Sequence, residues 1–322
     1  MGKKPERRWV AESTREFIRA ARQTPGYTFF DWLHGYIYAR WPFFYIGVAI
    51  GTHPFAKRFS PLANRIIRLF SWKNRHNGKF IEKESEVSKG WTIADTYHGK
   101  VLPLDSARQL ISVKEDVCLK DLEKVIPYPR ARDLILQQPD HIVALDCPCR
   151  AGREHPCLPL DVCLIVGEPF ASFVHEHHPQ RSRWVSQEEA VKILEDEHAR
   201  GHVHHAFFKD AMLLRYFAIC NCCACCCGAM QAHERNIPML SASGYIAQLD
   251  TTLCQGCRQC ENSCQFGAIF YPDGALIDVK RCMGCGVCES ICPAGAISLG
   301  RLPEKGDPLE IFTLMEQATK HR

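Results

Sequence analysis

At 322 residues, with 46% hydrophobic and 24% charged side chains, the chain has an ordinary globular composition and room for two or three domains. Nineteen cysteines in so long a chain, behind a start that runs from Met1 into charged residues with no apolar segment, point to free thiols in a reducing cytoplasm. The net charge of +4 is unevenly placed: residues 1–80 hold 15 Lys or Arg against four acids, together with 17 of the 32 aromatic side chains.

That basic, aromatic start is the first element. Arg7 and Arg8 lack the apolar stretch a twin-arginine signal needs, and Glu6 breaks the myristoylation pattern. The most apolar stretch, residues 27–50, is interrupted by Asp31, His34 and Arg40, and falls short of the ~20 apolar residues a spanning helix requires. Residues 61–72 place Leu62, Ile66, Leu69 and Phe70 at helical spacing beside Arg65 and Arg68. Three readings stay open for residues 1–80: an element lying on anionic membrane at the cytoplasmic face, an arm docking on a partner subunit, or the core of a small domain. No nucleic-acid motif accompanies the basic charge, and no nucleic-acid partner is expected.

Residues 73–89 read as a polar, exposed linker, and a mixed α/β domain follows. Residues 141–145 form a short buried-strand candidate that ends on Cys147. Cys147, Cys149, Cys157 and Cys163 then follow in one stretch, with Arg150 directly after Cys149. Ser186 and Glu189 spell a capping box for a helix through Ala190, Val191, Leu194 and His198 that stops at Gly201. Residues 207–219 read as a second apolar helix. Two histidine groups, 175–178 and 202–205, are candidates for a ligand or a proton relay against the more usual hydrogen-bonded role; His202 and His204 would share a face if extended. Cys118 stands alone and reads as a buried structural thiol.

Cys220, Cys222, Cys223, Cys225, Cys226 and Cys227 put six cysteines into eight residues, ending at Gly228. Cysteine is usually a small buried apolar residue, and six so close together need another reason. Adjacent side chains diverge, so Cys222 and Cys223 would not easily share one tetrahedral site; they can serve two different clusters or one larger cluster. With Cys147, Cys149, Cys157 and Cys163 there are ten thiols, enough for one or two further iron–sulfur clusters; zinc and a thiol/disulfide relay are the alternatives.

The C-terminal segment is the most specific. Cys254, Cys257, Cys260 and Cys264, and again Cys282, Cys285, Cys288 and Cys292, follow C-x2-C-x2-C-x3-C, with a 28-residue offset between the copies. A tight C-x2-C-x2-C loop supplies three thiolates to a [4Fe–4S] cluster and the other half supplies the fourth. The expected quartets are Cys254, Cys257, Cys260 with Cys292, and Cys282, Cys285, Cys288 with Cys264. Gly256, Gly284 and Gly286 sit where the loop must wrap the inorganic core.

Residues 246–300 resemble the bacterial dicluster ferredoxins on these spacings, with Gln265 where that family has proline. The middle and C-terminal parts together resemble cysteine-rich iron–sulfur proteins of anaerobic bacteria that carry the same strings around Cys147–Arg150 and Cys220–Cys227. Paired cysteines of heterodisulfide reductases offer a looser analogy. No Walker A, G-x-G-x-x-G, H-E-x-x-H or G-x-S-x-G motif is present.

The expected fold class is α+β: a ferredoxin-like dicluster module of short hairpins and helices with a pseudo-twofold, set on a mixed α/β cysteine-rich domain. The expected boundaries are 1–90 for the N-terminal region and linker, 91–245 for the cysteine-rich domain, 246–302 for the dicluster module and 303–322 for a tail. Two functions fit: a carrier relaying electrons through two [4Fe–4S] clusters and one or two more to a redox partner protein, or a reductase whose reacting centre lies at residues 147–227 and is fed by the module.

Overall fold

A computed structural model describes residues 10–54, 96–272 and 274–320. The expected helix at 61–72 and linker at 73–89 lie outside these residues. The chain is α+β. Thirteen strands among the described residues are β1 (Tyr97–Leu102), β2 (Val117–Leu119), β3 (Leu134–Leu136), β4 (Ile142–Leu145), β5 (Cys163–Val166), β6 (Ser182–Val185), β7 (Val203–Lys209), β8 (Arg215–Cys222), β9 (Leu240–Ser241), β10 (Tyr245–Leu249), β11 (Ile269–Phe270), β12 (Leu276–Ile277) and β13 (Ile297–Arg301).

A seven-stranded sheet in the order β6-β4-β5-β8-β7-β1-β9 forms the body, antiparallel throughout except between β1 and β9. Helices cover both of its faces, which is why β4, β5 and β7 are buried along their whole length and carry no polar alternation. On one face lie α1 (Glu12–Gln23), α2 (Phe29–Arg40), α3 (Pro42–Ala49) and the helix Phe170–His177, joined by edge-on contacts of Phe17 with Phe170 and Phe173, and of Tyr36 with Phe173. On the other face the helices Leu104–Ile111 and Gln187–Ala199 pack together.

The helix expected at 207–219 is instead the β7–β8 hairpin, turning through Leu213 and Leu214 at φ +57° and +58°. An unbroken apolar run lacks the periodicity that separates a buried strand from a helix, and its aromatic and β-branched content favours the strand. The helix Gln187–Ala199 forms as expected, with Ser186 Oγ accepting from the Glu189 amide at 3.2 Å and Gly201 following at φ +80°. Only half of the capping box closes, because the Glu189 carboxylate accepts from Arg183 instead. Cys118 is a second correction: it points outward from the middle of β2 and is exposed.

The N-terminal stretch divides its surface. Phe17, Tyr38 and Ala39 are buried against the body, whereas Phe29, Phe30, Leu33, Ile37, Trp41 and Phe44 stay exposed. No helix among the described residues is long and apolar enough to cross a membrane. The turn at Trp41 splits the 27–50 stretch into α2 and α3.

The C-terminal segment is a compact unit: β10 pairs with β13, β11 with β12, and the short helices Gln259–Ser263 and Val287–Ser290 pack on each other. The helix Ile311–Lys320 returns to the body beside the helix Leu104–Ile111.

Candidate metal centres

In the C-terminal unit the eight cysteines sort into two hollows. Cys254, Cys257, Cys260 and Cys292 line one; Cys264, Cys282, Cys285 and Cys288 line the other. Each hollow therefore gathers three thiols from one loop and a fourth from the distant half of the repeat. The loops turn through positive-φ glycines, and at Gly284 (φ +65°) a Cβ would collide with the backbone of Tyr245. The repeat extends to the donors: Ala268 N–H points at Cys264 Sγ at 3.2 Å, and Ala296 N–H at Cys292 Sγ at 3.3 Å. Ala247 N–H reaches Cys282 Sγ at 3.5 Å. Amides aimed at the sulfurs suit a negatively charged cluster, whose potential such bonds raise.

A second cysteine field sits in the body, under α2 and α3. Six thiols follow one another along an arc: Cys220 meets Cys163, Cys163 meets Cys147, Cys147 meets Cys149, Cys149 meets Cys227 and Cys227 meets Cys222. Strand geometry sets much of this. Cys220 and Cys222 point to one face of β8 at period two, and Cys163 on β5 is the register partner of Cys220. The arc borders a cavity of about 280 Å³ whose other walls include Tyr38, Tyr45, Tyr97, Phe217 and Lys209. The Lys209 ammonium lies 4.9 Å from the Tyr38 ring centre and 5.1 Å from that of Tyr97, and burial lowers its pKa to about 8. Burial also raises the Tyr38 and Tyr97 phenols.

The remaining four thiols, of Cys157, Cys223, Cys225 and Cys226, form a tighter group that reaches the surface at Cys225, with all four sulfurs within 4.8 Å of one another; Cys223 and Cys226 also line the cavity. Cys222 and Cys223, adjacent in sequence, point apart, one thiol entering the arc and the other this group. Cys225 and Cys226, adjacent in sequence, nonetheless come together at 3.7 Å. The turn closed by Cys227 N–H on Cys223 C=O, at 2.9 Å, curls them to one side.

Two residues noted in the sequence only for their place beside cysteines tie these parts together. Arg150, 1% exposed, ion-pairs with Glu197, and donates to the carbonyls of Pro159 at 2.6 Å and Asn221 at 3.0 Å. It thus fastens the loop before Cys163 and the strand between Cys220 and Cys222 to the helix Gln187–Ala199. Burial opposes ionisation of Glu197, but His202 and Arg150 outweigh it and hold the carboxyl below its usual range. Its place right after Cys149 was the available signal. Gln265, beside Cys264, accepts from the Ala224 amide at 2.9 Å and donates to the Gly201 carbonyl at 3.0 Å. A proline there could make neither bond, so the departure at 265 has a structural use.

The histidines stay outside the cavity lining. His175 bonds Ser182, His177 the Phe173 carbonyl and His178 the Ala39 carbonyl; His202 bonds Glu197, and His204 bonds Asn221. All but the His177 bond, which stays within its own helix, are staples between segments. His205 is fully buried on β7, opposite Cys220 in register.

Contact with neighbouring thiols and burial push the Cys147, Cys149, Cys163, Cys222 and Cys227 thiols up. Cys147 is pushed up to about 12, first by its contact with Cys149, against a lowering contact from Cys163, and further by burial. In Cys222, burial and neighbouring thiols overcome a lowering contact from Cys227 and raise the thiol to about 12. A cation placed among them would favour the thiolates.

A search among curated proteins finds no match to the chain. The family model described as the 4Fe-4S binding domain matches residues 247–270 and again residues 275–298. The C-terminal unit is therefore a tandem iron–sulfur binding module of the dicluster ferredoxin kind.

Proposed function

We propose that the chain is an iron–sulfur electron carrier with a third redox centre in the body. Cys254, Cys257, Cys260 and Cys292 hold one [4Fe–4S] cluster of bacterial ferredoxin type. Cys264, Cys282, Cys285 and Cys288 hold the second. Cys147, Cys149, Cys163, Cys220, Cys222 and Cys227 supply the thiolates for a further cluster in the cavity. Bound clusters supply one-electron steps; the chain's own residues set their spacing, shield them from water and aim amides at their sulfurs. The observation that carries the reading is Gln265. Standing next to Cys264, it bonds directly to the loop between Cys222 and Cys227, which supports passage of electrons between the module and a third centre there.

Anaerobically prepared full-length protein should hold clearly more than eight iron atoms, and reductive titration should show a third paramagnetic centre. Substituting Cys149 and Cys222 by serine should remove that centre and spare the other two. An iron content of eight in the native protein would rule the reading out. The carrier reading implies a redox partner protein that gives or takes the electrons.

One observation favours a reductase as a second reading. Lys209 and the Tyr38 and Tyr97 phenols stand across the cavity from the thiols, and a substrate reduced by two electrons needs two protons. If a small molecule enters there, Lys209→Met should abolish its effect on the third centre's EPR signal while iron content stays constant. An unchanged response would leave the carrier alone.

A further inference from the structure

The four thiols of Cys157, Cys223, Cys225 and Cys226 differ from the other fifteen in their packing. Cys157 Sγ is 3.3 Å from Cys225 Sγ and 3.7 Å from Cys223 Sγ, and Cys225 Sγ is 3.7 Å from Cys226 Sγ. A single ion with metal–sulfur bonds of about 2.3 Å in a tetrahedron separates its sulfurs by about 3.8 Å. A cubane places four irons between its thiolates and holds them further apart. The same structure supplies the comparison. Among the described residues, the eight thiols of the ferredoxin module form no group of three within 4.8 Å of one another, and neither do the six of the arc. Only this quartet has the spacing of a mononuclear site.

The surroundings keep that spacing. Arg153 Nη2 donates to the Cys226 carbonyl and to Gln231 Oε1, both at 2.8 Å. Gln231 Nε2 in turn donates to the Cys225 carbonyl at 3.0 Å, and Gln265 holds the Ala224 amide. The backbone of the 223–226 turn is thus braced on three sides by side chains that leave the thiols free, the arrangement by which outer groups orient metal ligands. All four thiols are free, and no histidine or carboxylate joins the group.

We propose that Cys157, Cys223, Cys225 and Cys226 bind one tetrahedrally coordinated thiophilic metal ion, zinc or iron, without inorganic sulfide, as a site separate from every iron–sulfur cluster in the chain. This goes beyond the carrier reading and does not depend on it. The ion cross-links the 157 loop to the 223–226 turn, which Gln265 attaches to the ferredoxin module. Cys225 is exposed and Cys157 half-buried, so the ion has access from solvent.

The test uses full-length protein purified without oxygen, with zinc, iron and acid-labile sulfide counted per chain. One zinc, or one iron in excess of sulfide, is expected. X-ray absorption at that metal's edge should show four sulfur neighbours at about 2.3 Å and no metal–metal scattering. A zinc edge or a high-spin ferric EPR signal identifies the ion. Cys225→Ser and Cys157→Ser should each lose one equivalent of it with sulfide unchanged, whereas Cys118→Ser should lose none. Loss of iron and sulfide together in these variants would assign the quartet to a cluster and overturn the proposal. So would native protein with neither zinc nor sulfide-free iron, a result that stands even if the variants fail to fold. Failure of the carrier reading would appear separately, as a missing third cluster with the single ion still bound.

Discussion

Replacing Arg150 by methionine removes a fully buried guanidinium from the centre of the cysteine field. Taking one partner from a buried ion pair costs about 3–5 kcal/mol. Here the Glu197 carboxylate keeps His202 at 2.7 Å and Arg200 at 3.1 Å, so it is not left alone and the ion-pair loss falls at the lower end. The carbonyls of Pro159 and Asn221 lose a charged donor, and an unsatisfied buried acceptor costs about 1–3 kcal/mol. These overlap, and we expect a net loss of about 4 kcal/mol. Anaerobic urea unfolding followed by tryptophan fluorescence should show the midpoint moving down accordingly. Because Pro159 and Asn221 lie among the cysteines of the arc, the iron proposed there should be lost first, with the ferredoxin EPR signals intact. Arg150→Lys should fall between, since an ammonium cannot span the same acceptors. Adding Glu197→Gln should return part of the loss by removing the leftover charge. A shift below about 1 kcal/mol for Arg150→Met would refute the account of Arg150 as the fastening of this site.

Three further outcomes are expected. Burial, aided by neighbouring His198, lowers His204 to about 3, and burial with His204 nearby does the same for His205. Their unfolded values lie near 6.5, so between about 3 and 6.5 the unfolded chain binds more protons. Stability should therefore drop as pH falls through 6.5, by about 3 kcal/mol for the pair between pH 7.5 and 5.5. His204→Asn should lessen that slope, and an unchanged urea midpoint across the range would contradict it. Cys292→Ala should damage the cluster of Cys254, Cys257 and Cys260 and spare that of its sequence neighbours; the opposite loss, read by EPR, would reverse the quartets. The exposed stripe of Phe29, Phe30, Leu33, Ile37, Trp41 and Phe44 should carry the intact protein to acidic liposomes with partial release by salt. Phe30→Asp with Trp41→Asp should abolish sedimentation, and equal recovery of both proteins would remove the membrane contact.

What could be read without coordinates was whatever repeats or has fixed spacing. The two C-x2-C-x2-C-x3-C loops declare three ligands by local geometry, and the crossed fourth follows from the repeat. The Ser186 cap and the 142–145 strand carry equally local signals. The 207–219 hairpin did not, because a strand buried on both faces has no alternation, and its turn uses Leu213 and Leu214 rather than glycine. Nor could spacing divide ten cysteines into an arc of six and a group of four. That division depends on the β5–β8 register, which brings Cys163 beside Cys220, and on the turn that curls Cys225 and Cys226 together. Arg150 and Gln265 act across 47 and 41 residues of sequence, a range at which no local pattern reports a partner.

The glycines that close both cysteine strings have neighbours from the far end of the chain. A side chain at Gly228 would strike Ile50, and one at Gly152 would meet Thr52 Oγ1 at 2.8 Å. Each glycine leaves room for the end of α3 to lie flat over the thiols, while Tyr38, Ala39, Tyr45 and Ile46 roof the cavity from the same segment. The aromatic N-terminal helices thus lie between the thiol arc and solvent. Shortening the chain to its cysteine-rich part would bare the cavity where the third centre is proposed. Preparations lacking the first fifty residues should bleach in air far faster than the intact protein, with the ferredoxin clusters outlasting the one beneath the missing helices.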